Sequence, residues 1–254
     1  MLGNGLYELA KKTGMKLNGT SIFDPVLCEV IYNWFGQKDG VVFDPFAGGS
    51  VRGVIAELLG QHYIGIDLSQ TQIEANKTNA EIFGVNPMWH CDDSKNADKY
   101  LADKTADLVF TCPPYHDLEK YSDNPSDLSN MNYADFLTTY EDIIEKSCRK
   151  LKDNRFAVFV VGDIRDKKGA YKNFVGETKR ILLNNGLYLY NEFILLEQYS
   201  TAPLRAGRQF GAKKKVVKVH QNVLVFYKGD IEAITSTNDY KWVDLTPYQM
   251  ELSA

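Results

Sequence analysis

Short apolar runs alternate with amphipathic stretches over most of the chain, and this alternation limits the folds that the chain can adopt. Five runs have the length and composition of buried strands, at 41–44, 63–67, 87–91, 107–112 and 156–163. Strands that alternate with helices favour a mostly parallel sheet that is covered by helices on both faces. We therefore predict a single α/β domain with a Rossmann-like sheet.

Helix ends are marked by capping residues. Asp24 and Pro25 suit the start of one helix, and Ser69 and Gly84 suit the start and end of another. Apolar spacing predicts further helices over 50–60, 133–151 and about 171–185.

The last two strand-like stretches, 187–198 and 216–227, have no helical pattern between them. They should therefore pair antiparallel and complete a seven-stranded sheet with a C-terminal hairpin. The segment 199–215 is then a loop, and 229–254 is a polar tail.

Composition excludes several classes of protein. Hydrophobic residues make up 44% of the 254 residues, so an ordinary core is expected. No apolar run approaches the roughly 18 residues that cross a bilayer, and the first residues lack a signal-peptide pattern. The four cysteines form no CxxC pair, so we expect a cytoplasmic protein without a metal site. The net charge of −4 requires any nucleic-acid surface to be local.

A glycine turn after the first strand indicates a ligand site. Gly48 and Gly49 let a ligand approach the backbone closely, and Asp44 and Asp67 end neighbouring strands. An acid about 20 residues after such a turn can accept both ribose hydroxyls of a nucleoside. The turn is not GxGxxG, which disfavours a dinucleotide. The alternative is an ordinary tight turn between a strand and a helix.

Two motifs resemble a known family. The sequence DPFAGGS (44–50) resembles the DPFxGSG motif of S-adenosylmethionine-dependent DNA amino-methyltransferases, and TCPPY (111–115) resembles their catalytic motif, [DNS]PP[YFW]. The segment FDPVLCEVIYNWF (23–35) resembles the motif that covers the methionine end of the cofactor. The likeness runs from about residue 20 to 228 and is strongest to a compact subset from phages and plasmids.

The resemblance implies the roles of the site residues. S-adenosylmethionine is the implied cofactor, with a cofactor half at 20–112 and a catalytic half at 113–228. The residues implied to bind it are Asp44, Phe46, Gly48 and Gly49 on the methionine side, Asp67 at the ribose, and Asp92 at the adenine amine. Asp93 is one residue from Asp92, so the register stays open, as does a plain surface turn.

The TCPPY segment suits an exocyclic amine. Such an amine is a poor nucleophile because its lone pair is delocalised, and acceptors on its two protons would orient it. Pro113 and Pro114 have carbonyls but no N–H and stiffen the chain. Tyr115 offers an aromatic face to a base that has left its stack.

Cys112 departs from the family pattern, because a thiol is a weaker acceptor than Asp, Asn or Ser. A nucleophilic role toward a pyrimidine carbon is disfavoured, since those enzymes have a Pro-Cys order. A buried strand cysteine before a structural turn remains the alternative.

The segment 200–220 is basic and has no acid. If the preceding strand is parallel to the sheet, the segment emerges at the ligand edge, where it would contact DNA phosphates. The residues predicted to bind DNA are Arg205, Arg208, Lys213, Lys214 and Lys215. The alternative is a solvated hairpin tip. The acidic loop 116–132 lies next to Tyr115 at the same rim, where it would close over the base or read its neighbours. The alternative is a lid without a chemical role.

The sequence thus predicts a site-specific DNA methyltransferase, as in restriction–modification systems, with adenine N6 slightly favoured over cytosine N4. The alternatives are an RNA or protein-glutamine methyltransferase, or a catalytically weak subunit that binds DNA or cofactor. A homodimer is compatible with the sequence, and no residue specifies it.

Overall fold

A seven-stranded sheet organises the protein, as seen in a computed structural model that describes residues 23–116, 125–196 and 202–234. The strands lie in the order β3-β2-β1-β4-β5-β7-β6. Their bounds are β1 Val41–Asp44, β2 His62–Asp67, β3 Met88–Cys91, β4 Ala106–Thr111, β5 Leu151–Val161, β6 Tyr188–Leu196 and β7 His220–Lys228.

The sheet is mixed, with one reversed strand. The strands β1 to β5 run parallel, and β7 pairs antiparallel with both β5 and β6. The strand β6 therefore runs in the same direction as β5, and its last residue lies at the carboxyl edge of the sheet. The predicted Rossmann-like fold with a C-terminal antiparallel pair is confirmed.

The helices begin and end where their caps predict. Asp24 accepts from the backbone N–H groups of Val26 and Leu27, Ser69 caps the third helix, and Gly84 ends it with a left-handed φ of 66°. No helix in the described ranges has both the length and the apolar content needed to cross a membrane. The helices are α1 Pro25–Phe35, α2 Val51–Leu58, α3 Gln70–Phe83, α4 Tyr133–Lys150, α5 Phe174–Asn184 and α6 Ala202–Lys213.

Each face of the sheet packs into its own core. One core joins Phe43, Val109 and Phe159 to the apolar faces of α4 and α5. The other joins Val42, Leu108 and their neighbours to α1 and α2. Because adjacent strand residues alternate between the two cores, the sheet is fixed from both sides.

The connection between β6 and β7 corrects one prediction. We expected a loop over 199–215, but the structure has the helix α6 at Ala202–Lys213. Gly207 and Gly211 lie inside this helix and weaken its propensity, which hides it from a sequence pattern. The basic residues of the segment therefore lie on or just after a helix.

Gly65 on β2 allows the glycine turn to approach the sheet. A Cβ at this position would lie 2.7 Å from Cε1 of Tyr63 and 2.8 Å from Cβ of Ala47. Ala47 in turn donates its backbone N–H to the carbonyl of Ile66. A side chain at Gly65 would therefore push the turn away from β2.

We expect Gly65→Ala to lower the free energy of unfolding by about 1–3 kcal/mol because it overpacks a buried contact. Gly207→Ala is the matched control, since a Cβ there meets nothing within 4 Å. In a helix interior the same change should stabilise by about 0.5–1 kcal/mol. Urea unfolding measures both, and equal effects of the two substitutions would contradict the close approach.

Candidate active site

Three polar residues come together where neighbouring parallel strands end. Asp44 ends β1, Asp67 ends β2 and Thr111 ends β4, and β1 pairs with both of the other strands. Ligands of open α/β sheets bind at the carboxyl edge of the strands. The glycine turn and the Pro-Pro-Tyr segment both start from this edge.

Asp44 is the centre of a buried hydrogen-bond network. Its side chain is fully buried and accepts four hydrogen bonds within the chain. The donors are the Phe46 backbone N–H at 3.1 Å, Thr111 Oγ1 at 2.6 Å, Arg52 Nε at 2.6 Å and the Tyr63 hydroxyl at 2.8 Å. The carboxylate therefore holds the turn, and direct contact with a cofactor remains a prediction for Asp44.

Arg52 on α2 is the cation of this network, and the sequence analysis missed it. Burial disfavours its charge, but the Asp44 carboxylate outweighs that cost and raises the pKa of Arg52 above its ordinary value. Its Nη2 also donates to the carbonyls of Phe46 at 2.7 Å and Ala47 at 2.9 Å. The sequence does contain a sign of this role, because Arg52 is the one cation among the apolar residues of the predicted helix 50–60.

Other side chains satisfy the remaining carbonyls of the turn. Asn76 Nδ2 donates to the carbonyl of Gly48 at 2.7 Å, and Ser94 Oγ donates to that of Pro45. With the two carbonyls held by Arg52, four successive carbonyls are bonded to donors from other elements. The turn is thus rigid before any ligand binds.

Asp67 fits the predicted ribose acceptor. Its Oδ2 accepts from the Gly48 N–H at 2.9 Å and its Oδ1 from the Ser69 N–H at 2.8 Å. A carboxylate has about four acceptor positions, so two further hydroxyls can be accommodated. A Cβ at Gly49 would meet nothing within 4 Å, which leaves the front of the turn open. These residues fit the nucleoside of S-adenosylmethionine, and their contact with it remains a prediction.

Asp92 is engaged within its own turn. Its Oδ1 accepts from the Asp93 N–H and Asn96 Nδ2, and its Oδ2 from Lys99 Nζ and the Tyr100 hydroxyl. Partial burial opposes ionisation, but these bonds outweigh it and hold the pKa of Asp92 well below its usual value. The predicted contact with an adenine amine would have to compete with these donors.

The Pro-Pro-Tyr segment leaves β4 directly beside the glycine turn. The hydrogen bond from Thr111 to Asp44 joins the two, so Cys112 and Pro113 follow at the same edge. Pro113 is buried, and Cys112 and Tyr115 are half-buried. The Tyr115 hydroxyl donates to Gln221 Oε1 at 2.9 Å, and the ring lies edge-on to Phe174 at 6.2 Å. The aromatic ring is thereby held between β7 and α5.

His116 anchors the residue that follows, another feature that the sequence analysis missed. Its Nε2 lies 2.9 Å from the Met131 carbonyl, which only accepts, and its Nδ1 lies 2.8 Å from Lys172 Nζ. A neutral ring with the proton on Nε2 satisfies both contacts. Residues 117–124 of the predicted acidic loop lie outside the described residues.

The predicted DNA-binding residues lie on α6 or directly after it, between β6 and β7. Arg205, Arg208 and Lys213 are exposed on α6, and Lys214 is exposed just after it. Lys215 follows and approaches Gly169, in the segment that leaves the carboxyl end of β5. The structure thus places the C-terminal part of the basic segment next to the carboxyl edge.

Comparisons with known proteins agree with this architecture. Residues 39–157 match the family model described as RNA cap guanine-N2 methyltransferase. The Type II methyltransferase M.HinfI of Haemophilus influenzae is 31% identical over 86 residues, which are 34% of this chain. The match spans only 24% of that enzyme.

Solved structures share the fold at low sequence identity. TrmN from Thermus thermophilus has a TM-score of 0.57 and 14% identity, covering 83% of this chain and 51% of that one. An rRNA methylase from Streptococcus thermophilus has a TM-score of 0.52 and 12% identity, covering 83% and 100%. A SAM-dependent methyltransferase from Methanosarcina mazei has a TM-score of 0.52 and 15% identity, covering 79% of this chain and 97% of that one. The chain therefore has a Rossmann-like methyltransferase fold, for which S-adenosylmethionine is the cofactor.

We expect Thr111→Val to cost about 1.5–3 kcal/mol of stability, because it removes a buried donor to a carboxylate without changing the side-chain shape. Thr138→Val is the matched control, since its hydroxyl donates to a carbonyl one turn earlier on exposed helix surface. Urea unfolding of both variants measures the difference. Equal losses of unfolding free energy in the two variants would show that the hydrogen bond to Asp44 stabilises the fold no more than the exposed one does.

The depressed pKa of Asp92 predicts an acid-dependent contribution to stability. The ionised form stabilises the fold above the unfolded-state pKa of about 3.9, and the contribution is lost as pH falls below it. Wild type should therefore exceed Asp92→Asn in stability at pH 6, and the gap should narrow by pH 3. Tyr100→Phe, which removes one donor, should show a smaller pH dependence than wild type. Unfolding at the two pH values tests this, and an unchanged gap would contradict it.

Proposed function

For a chain with this methyltransferase fold, we propose that it methylates the exocyclic amino group of a nucleobase in DNA, with adenine N6 favoured over cytosine N4. One observation carries the proposal. The 2.6 Å bond between Thr111 and Asp44 joins the Pro-Pro-Tyr segment to the turn that fits the cofactor. A base held by the one segment therefore lies beside a ligand held by the other.

The backbone of Pro113 and Pro114 would orient the reacting amine. Proline carbonyls accept hydrogen bonds from the two amine protons and turn the nitrogen lone pair toward the cofactor side. S-adenosylmethionine supplies an electrophilic methyl group when bound. Because neither proline has an N–H, no donor of these two residues competes for the amine.

Tyr115 would support the base from one face. Its hydroxyl donates to Gln221 Oε1 at 2.9 Å and its ring packs edge-on against Phe174, so the side chain is held in place. Stacking on an aromatic ring is worth about 1–3 kcal/mol per base, which offsets part of the cost of flipping. A ring that is fixed in advance loses little entropy on binding.

Cys112 distinguishes this site from the family pattern. A thiol accepts hydrogen bonds weakly, so the second amine proton depends on the proline carbonyls. Cys112→Ser restores a family residue and should maintain or raise activity. Cys112→Ala should leave measurable activity, whereas its complete loss would indicate a chemical role for the thiol.

RNA is the second candidate substrate, and the matched family model favours it. Guanine N2 is also an exocyclic amine, so the same pocket chemistry serves both nucleic acids. The proposals differ in the polymer that carries the base and agree on the reacting group.

Transfer of labelled methyl groups to DNA, RNA and protein in parallel tests the proposal. We expect methylated adenine in DNA by mass spectrometry, and Tyr115→Ala should lower kcat/KM about 10- to 100-fold through lost stacking. Tyr188→Ala is the matched control, since Tyr188 is exposed at the amino end of β6.

The other outcomes separate the alternatives. Methylated RNA alone would replace DNA by the second candidate, and methylated protein would overturn both. Tight binding of S-adenosylmethionine without transfer to any polymer would favour a non-catalytic subunit. An equal effect of Tyr115→Ala and Tyr188→Ala would contradict the stacking role.

A further inference from the structure

A basic cleft lies between α6 and the segment that follows β5. Its volume is about 440 Å³, and four of its six lining residues are cationic. The lining residues are Arg165, Arg208, Gln209, Ala212, Lys213 and Lys215. One wall belongs to the basic segment identified in the sequence, but Arg165 comes from a different element.

Arg165 is held in place by the turn 165–171, which we call the β5 hairpin. A backbone bridge pairs Arg165 with Tyr171, and Arg165 Nη1 donates to the carbonyl of Gly169 at 2.7 Å. Its guanidinium lies 3.8 Å from the centre of the Tyr171 ring. The Gly169 carbonyl and the Tyr171 ring fix the orientation of the guanidinium. Its remaining N–H groups can still donate hydrogen bonds to a ligand.

Gly169 brings the two walls together. Its φ is 100°, and a Cβ there would overlap Nζ of Lys215. The absence of a side chain thus lets Lys215 lie against the β5 hairpin. A Cβ at this position would require the flexible end of that lysine to shift.

The charges of the cleft are not neutralised within the described part of the chain. No carboxylate lines it, and no ion pair to a described residue involves Arg165, Arg208, Lys213 or Lys215. The nearby Asp166 accepts from the backbone N–H groups of Gly169 and Ala170 and so caps the turn. Such a concentration of cations in an acidic protein calls for an anionic ligand.

A second cleft lies on the other side of the β5 hairpin pair formed by Arg165 and Tyr171, and Tyr171 lines it. It measures about 340 Å³, and its lining residues are Asp163, Tyr171, Val216, Val217, Lys218, Val219 and His220. Tyr171 is 46% exposed although the Arg165 guanidinium covers one face of its ring, so a base would stack on the other face. His220 precedes Gln221, the residue that holds the Tyr115 hydroxyl.

We propose that the β5 hairpin and α6 form a subsite for the nucleotides that flank the target base. The phosphodiester lies in the basic cleft against Arg165, Arg208 and Lys213, and the adjoining base stacks on Tyr171 in the second cleft. This inference rests on the proposed function, because it assigns the path by which the strand reaches Tyr115.

Binding of labelled single-stranded DNA and RNA oligonucleotides, followed by fluorescence anisotropy, tests the phosphate contacts without turnover. Arg165→Ala should weaken binding about tenfold for every sequence. It should also lower the slope of log Kd against log salt by about 1. Lys38→Ala is the control, because Lys38 is exposed just before β1, at the opposite edge of the sheet. Its affinity and activity should equal those of wild type.

A second series tests the stacking base. Tyr171→Ala should weaken binding about tenfold, whereas Tyr171→Phe should leave it unchanged because the ring remains. An oligonucleotide that lacks bases beside the target should bind wild type and Tyr171→Ala equally. Comparison of the two oligonucleotides separates lost stacking from a disrupted β5 hairpin, because a disrupted hairpin would weaken the binding of both equally.

The outcomes distinguish this inference from the proposed function. Wild-type affinity and salt slope in Arg165→Ala would overturn the subsite even if methyl transfer is found. Tight, Arg165-dependent binding without methyl transfer would keep the subsite and reject the activity. A preference for DNA or RNA in these assays identifies which strand the cleft takes.

Discussion

The buried pair of Asp44 and Arg52 is the interaction on which the rest of the site depends. An unpaired charge at this depth would cost several kcal/mol, so each partner requires the other. Between them they bind the end of β1, the start of α2 and the carbonyls of the glycine turn. Through Thr111 the same carboxylate reaches β4, so one anion fixes two turns from neighbouring strands.

This arrangement explains why polar residues occupy the end of a sheet whose interior is apolar. Polar groups that already have hydrogen-bond partners inside the chain do not need a ligand to supply them. The turn therefore presents its open face and the remaining acceptor positions of Asp67, with little reorganisation on binding. Preorganisation of this kind is what a transfer between two bound partners requires.

The sequence predicted the strands, the capped helices and the two turns, because each depends on local patterns such as Ser69 and Gly84 or the double proline. It missed Arg52, Asn76 and Ser94, whose roles depend on which strands lie next to each other. It also missed α6, because Gly207 and Gly211 conceal its helical character. The hydrogen bonds that Lys99 and Tyr100 donate to Asp92 could not be predicted either, because these side chains reach Asp92 only in the folded chain.

The contacts of His116 have a consequence for how such a site can diversify. Its ring is wedged between the Met131 carbonyl and Lys172, immediately after Tyr115. Insertions or substitutions in the segment after His116 would start from a residue that is fixed in place. They would therefore leave the carbonyls of Pro113 and Pro114 undisturbed. Related proteins could then differ in the target they prefer while the geometry of the reacting groups stays the same.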